Sequence, residues 1–141
     1  MTLKELSQLY YLNREIEMDK ERLANLDAEI KEDEEQLADL ERNASSPSSQ
    51  NYDGMPKSPS CGNKIENAVA RIWVLEESIK CNKALRCDIA MTIQAKQILC
   101  LTERNKLERY ISGLPDSLLR LIFTYRFIKG LAWSQVAYNI G

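Results

Sequence analysis

Residues 9–40 read LYYLNREIEMDKERLANLDAEIKEDEEQLADL, and their period of seven decides the fold. Leu9, Ile16, Leu23, Ile30 and Leu37 form one ladder. Leu12, Leu26 and Leu40 form a second, interrupted by Asp19 and Asp33. Two such ladders are the a and d positions of a coiled-coil seam. No Gly or Pro occurs over residues 3–43, so a single acidic helix is expected over 1–43, roughly 60 Å long at about 1.5 Å per residue.

A second seam starts at Lys64. Ile65, Ile72, Ile79, Arg86, Ile93, Cys100 and Leu107 share one heptad position. Ala68, Leu75, Asn82, Ile89, Lys96, Glu103 and Tyr110 share the other. This predicts a second long helix over 64–112, apolar at both ends of its seam and polar in the middle. Between the two, residues 44–63 hold Ser45-Ser46-Pro47-Ser48-Ser49 and Lys57-Ser58-Pro59-Ser60, with Gly54 and Gly62. That is linker chemistry, and it predicts a flexible loop.

The expected fold class is all-α: a long antiparallel helical hairpin followed by a small, incomplete helix-turn-helix over 113–141. One register pairs Leu40 with Ile65, Ile30 with Leu75, Leu26 with Ile79, Ile16 with Ile89 and Leu12 with Ile93. It also sets Asp19 against Arg86. Because a seam charge without a partner is costly, Asp19 and Arg86 are expected to fix the register. Leu3, Leu6 and Tyr10 are expected to hold the C-terminal helices near Leu99 and Leu101. Val69 and Trp73, beside the seam, either cover the first helix or form a self-association surface; both readings stay open.

Composition narrows the chemistry. Among 141 residues there is no histidine, so there is neither an imidazole base nor an imidazole metal ligand. Cys61, Cys81, Cys87 and Cys100 lack the C-x2-C spacing of a structural zinc site and read as small buried thiols. No phosphate-binding glycine loop is present, and no carboxylates cluster in a pocket-forming context. The expectation is a protein that is not an enzyme, with no catalytic residues, no metal, no cofactor and no small-molecule substrate. No apolar run suits a membrane span and the N-terminus lacks a signal peptide's apolar stretch, so a cytoplasmic location is expected.

The net charge of −2 hides an asymmetry. Residues 1–43 carry 6 basic and 13 acidic side chains, residues 64–111 carry 9 and 6, and residues 112–141 carry 3 and 1. An acidic arm repels phosphate, so any nucleic-acid contact is expected in the C-terminal part.

In that part, Leu114-Pro115-Asp116 ends the long helix and starts another, with proline and an acid suited to a first turn. Leu118, Leu119, Ile122, Phe123 and Phe127 then recur at helical spacing. Gly130 punctuates the run, and Trp133, Val136, Ala137 and Ile140 form a second short stripe. The stretch from Arg120 to Gly141 resembles the C-terminal helix-turn-helix of bacterial sigma factors. The plan of the whole chain is similar to small phage transcriptional regulators of Gram-positive hosts, the ArpU/RinA-like late-gene activators. Those share a long helix, a loop with an Asp-Gly-Met-Pro segment (here Asp53 to Pro56), a second long helix and the sigma-like motif. The signature carrying the resemblance is Arg126-Phe127-Ile128-Lys129-Gly130-Leu131-Ala132-Trp133.

The resemblance implies transcription regulation by binding DNA, host RNA polymerase or both, in a bacterial host cell, with a homodimer as one further partner. It departs from the pattern at Ala132, where a serine N-cap is usual, and at Gln135, where an acid is frequent. By the family plan a basic recognition helix would follow Gly141, so the expectation is a chain truncated before that helix, with DNA binding weak or lost. What remains for DNA is phosphate contact by Arg120, Arg126 and Lys129, joined by Ser134, Gln135 and Tyr138. The alternative reading is a protein-interaction module, with the acidic hairpin binding a host protein and no DNA binding.

Overall fold

A computed structural model describes the backbone of residues 1–45 and 60–141, and the side chains of 1–43 and 66–141. Among the described residues there are five α-helices: α1 (Leu3–Leu6), α2 (Gln8–Ser45), α3 (Ser60–Ser112), α4 (Ser117–Phe123) and α5 (Trp133–Ile140). A π-helical turn, Thr124–Ile128, follows α4 directly. There is no strand among the described residues, and the fold is all-α. No described helix is long and apolar enough to cross a membrane.

The first helix starts two residues into the chain, at Leu3, because Thr2 and Glu5 close a capping box. Thr2 Oγ1 accepts from the Glu5 N–H at 3.3 Å, and Glu5 Oε2 accepts from the Thr2 N–H at 2.8 Å. Thr-x-x-Glu was readable in the sequence as this signature. Ser7 separates α1 from α2, so the helix expected to be unbroken over 1–43 is interrupted there and then runs on to Ser45. The second long helix begins at Ser60, four residues before the expected Lys64, and ends as expected at Ser112. Most of the loop expected over 44–63, including Asp53 to Pro56, lies outside the described residues, as does the side chain of Ile65.

The heptad seams are where the sequence puts them. All ten seam positions of α2, from Leu9 to Leu40, are buried or half-buried, including Asp19 and Asp33. The described seam of α3 from Ala68 to Tyr110 behaves likewise, with Arg86 the exposed exception. Apolar area removed from water along such a seam stabilises the pair at about 25 cal/mol per Å².

The described chain divides into two compact units. One joins Met1–Arg22 to Ile89–Gly141, and the other comprises Leu23–Asp88. Within each, a segment of α2 runs antiparallel to a segment of α3. In the first unit Asn13 meets Cys100, and Asp19 meets Lys96. In the second, Asp27 meets Arg86, Asp33 meets Ser78, and Glu34 meets Lys83.

These ties correct the expected register. Asp19 does not face Arg86; Arg86 pairs with Asp27, eight residues further along α2, and Asp19 is taken by Lys96. The expected layers shift with them by about one heptad. The reason lies in Lys96. In the expected register this seam cation falls opposite Leu9 with no counter-charge. In the observed one Lys96 meets Asp19 at 2.6 Å and Glu15 at 3.5 Å, and Arg86 still finds an acid just off the seam. Asp19, Asp33, Arg86 and Lys96 each then have a polar partner, and the cost of leaving such charges unpaired decides against the alternative.

The core of the first unit is Leu6, Leu9, Leu107 and Phe127, with Cys100, Tyr110, Phe123 and Ile128 packed against it. Leu107 is fully buried. Phe127 thus ties the C-terminal segment to α1, α2 and α3, while the Tyr110, Phe123 and Phe127 rings stack in sequence at 6.4 and 5.4 Å. Of the residues expected to make this attachment, Leu6 does so. Leu3, Leu99 and Leu101 remain exposed, and Tyr10 is partly so.

A candidate nucleic-acid interface at the C-terminal turn

The C-terminal segment is built by short-range hydrogen bonds. Asp116 caps α4 by accepting from the Leu118 N–H at 3.0 Å. Thr124 Oγ1 donates to the Arg120 carbonyl at 2.7 Å, where α-helical bonding gives way to the π-turn closed by the Lys129 N–H on the Thr124 carbonyl at 3.0 Å. The helix then stops at Gly130, whose φ of +68° places it in the left-handed region. The Leu131 N–H reaches back six residues to the Tyr125 carbonyl at 3.0 Å, one residue further than a Schellman closure, as befits an end that follows a π-turn.

Arg126 locks this turn onto α5. Its Nη1 donates to the Leu131 carbonyl at 2.8 Å, and its guanidinium lies 4.9 Å from the centre of the Trp133 ring. Three residues of the signature, Arg126, Gly130 and Trp133, therefore act together on one turn. Helix α5 starts without a side-chain cap at Ala132, as the sequence predicted. Gln135 supplies the reverse half of a capping box: its Oε1 accepts from the Ala132 N–H at 3.1 Å. Val136 anchors α5 as its buried residue.

The six candidate phosphate contacts separate into two groups. Arg120 donates to the Leu114 carbonyl at 2.5 Å and to Ser117 Oγ at 2.8 Å, and so fastens the start of α4. Arg126 holds the turn. Both serve the local fold first, which spacing alone could not reveal. Lys129, Ser134, Gln135 and Tyr138 are exposed, Tyr138 at 87%. Lys129 Nζ sits 4.9 Å from the centre of the Tyr125 ring. Ser134, Gln135 and Tyr138 line a shallow groove of about 370 Å³ together with Leu131 and Asn139.

A second groove, of about 410 Å³, is lined on one side by Phe127, Ile128, Lys129 and Gly130. Its wall is a face of α2 bearing Tyr10, Asn13, Arg14, Glu17 and Lys20. These residues recur at three- and four-residue spacing, so the face itself was legible. That the Gly130 turn would close over it was not, because nothing local in the sequence places Gly130 beside Tyr10.

Charge is segregated by unit. Residues 1–22 with 89–141 carry 11 basic and 8 acidic side chains, and residues 23–88 carry 8 and 13. The acidity expected of the whole first helix therefore belongs mostly to the second unit. The first unit is net positive.

Elsewhere, Val69 and Trp73 are 61% and 63% exposed, so neither covers the first helix. Trp73 adjoins exposed Val74, which lines a groove of about 610 Å³ with Leu40, Ala70 and Leu75. Cys81 and Cys87 are exposed, against the expectation of buried thiols, because both fall off the seam. Cys100, on the seam, is half-buried; burial raises its thiol pKa, and its Sγ lies 3.6 Å from Asn13 Oδ1. Among the described residues no His, Cys, Asp and Glu side chains group to hold a metal. No family model, curated protein or solved structure matches the chain.

Proposed function

We propose that this chain is a phage-type transcriptional regulator of the sigma-like helix-turn-helix class, acting by binding DNA, host RNA polymerase or both. The observation that carries the reading is the locked turn. Arg126, Gly130 and Trp133 are three residues of the signature that carries the resemblance, and they meet at the turn that leads from the π-turn into α5. A binding motif needs that rigidity, because a surface positions phosphate or a partner only if its supporting shell is fixed. The exposed face of α5 bears hydrogen-bonding side chains, Ser134, Gln135 and Tyr138, next to the cation of Lys129. The unit that carries this face is net positive, which favours a polyanion.

Contacts of this kind give affinity and orientation without reading base sequence. Binding should therefore be weak, sequence-tolerant and strongly salt-dependent. Fluorescence anisotropy of the whole chain with a labelled duplex, repeated over a range of NaCl concentrations, tests it. Affinity that falls linearly on a log–log plot supports the reading. No detectable affinity at low salt rejects DNA binding.

The exposed Val69, Trp73 and Val74 favour a second reading, a protein-interaction module built on the acidic unit. Asp33 and Glu34, two of its clustered acids, are already used within the hairpin by Ser78 and Lys83. Sedimentation velocity distinguishes the simplest form, self-association, which Trp73→Ala would weaken if Trp73 lies in the interface.

A further inference from the structure

We propose that the groove between α2 and the Gly130 turn is a second track for the phosphate backbone of duplex DNA, with Arg14 and Lys20 contacting phosphate alongside Lys129. The inference rests on the DNA-binding reading above, and it assigns part of that surface to the helix whose acidic composition argued against it.

Three observations carry it. First, Arg14, Lys20 and Lys129 all line one groove of about 410 Å³, together with the hydrogen-bonding side chains of Tyr10 and Asn13. Second, the acidity of the first helix is not uniform: residues 1–22 carry 4 basic and 5 acidic side chains, whereas 23–43 carry 2 and 8. Of the five acids in the first set, Glu5 caps α1, and Glu15 and Asp19 are bound to Lys96. Third, Lys20 also borders a neighbouring groove of about 400 Å³ that holds Gln97 and a further cation, Arg104, which is ion-paired with Glu108 at 3.1 Å.

Arg14 and Lys20 are six residues apart, about 9 Å along a helix. One DNA strand presents a phosphate every ~3.4 Å of axis, so the two cations engage separate phosphates and do not compete for one. Glu17 is the one acid lining the groove, and it is bound to Arg14 at 3.6 Å on the exposed face. It holds binding down, and its charge should oppose every phosphate that enters.

The test uses the whole chain and a short fluorescein-labelled duplex, with affinity measured against NaCl concentration. Lys20→Ala and Arg14→Ala should each weaken binding several-fold and reduce the log–log salt slope by about 0.9, the value for one lost phosphate contact. Lys20→Arg should keep the slope. Glu17→Gln should tighten binding. Lys31→Ala, on an exposed site of the acidic unit, should change nothing. Circular dichroism checks that each variant is folded. If Lys20→Ala and Arg14→Ala match the wild type while Lys129→Ala weakens binding, this inference is overturned and the broader reading stands. A wild-type chain with no low-salt affinity overturns both.

Discussion

Lys96 donates a hydrogen bond to Asp19 at 2.6 Å across the seam of the first unit, with the two side chains 24% and 21% exposed. Glu15 adds a second carboxylate at 3.5 Å. The bond from Lys96 to Asp19 holds the Lys96 ammonium above the usual lysine pKa, against the opposing effect of burial, with the charges of Asp19 and Glu15 adding to it. A raised folded-state pKa stabilises the fold fully below the unfolded value near ~10.4 and stops doing so as pH rises through the folded value. Urea denaturation should therefore show an alkaline loss of stability in the wild type that Lys96→Arg reduces. In a double-mutant cycle with Asp19→Asn and Lys96→Met, the double variant should be less destabilised than the two single effects added together. Strict additivity would mean that the pair does not set the register.

Leu107 carries the packing of the same unit. It is fully buried and shares a core with Leu6, Leu9 and Phe127, contributed by three separate parts of the chain. Leu107→Ala should cost about 2–5 kcal/mol, combining lost transfer energy with the cavity left behind. Because Phe127 belongs to this core, the variant should also loosen the C-terminal segment, seen as broadened amide resonances over residues 117–139.

Gly130 isolates a backbone effect. A Cβ there would meet Tyr10 Cδ2 at 3.8 Å, an ordinary contact, so space does not forbid a side chain. The φ of +68° does the discriminating. Gly130→Ala should destabilise by about 1–2 kcal/mol and Gly130→Asn by less, since asparagine tolerates the left-handed region. Equal losses for the two variants, measured by urea denaturation, would point to a steric cause instead.

Ala132 is an unfilled cap. Its extended backbone (φ −66°, ψ 153°) is that of an N-cap residue, and Gln135 already supplies the reciprocal bond. Ala132→Ser should complete the capping box and stabilise the chain by about 0.5–2 kcal/mol. A neutral result in thermal melts would show that α5 frays independently of the rest.

The fold class and the seams were legible because burial follows a seven-residue period that residues 9–40 and 68–110 keep, with Arg86 the exception. The register was not. It turns on where long charged side chains find partners a turn away, and Asp27 lies outside the heptad positions that pattern-reading considers. The same limit applies to the candidate site. Arg120 and Arg126 were visible as cations, but their roles as fasteners depend on the Leu114 and Leu131 carbonyls, which carry no sequence signal. Arg14 and Lys20 were hidden by averaging charge over 43 residues, when the structure divides that helix between two units of opposite net charge.

The central claim is that the positive unit, through the surface around Lys129, meets DNA while the acidic unit does not. Titrating the ¹⁵N-labelled chain with an unlabelled duplex at low salt and following amide shifts tests it directly. The account predicts shifts concentrated in residues 10–20 and 125–139, fading as salt is raised. Shifts confined to residues 66–88, or none anywhere, would contradict it.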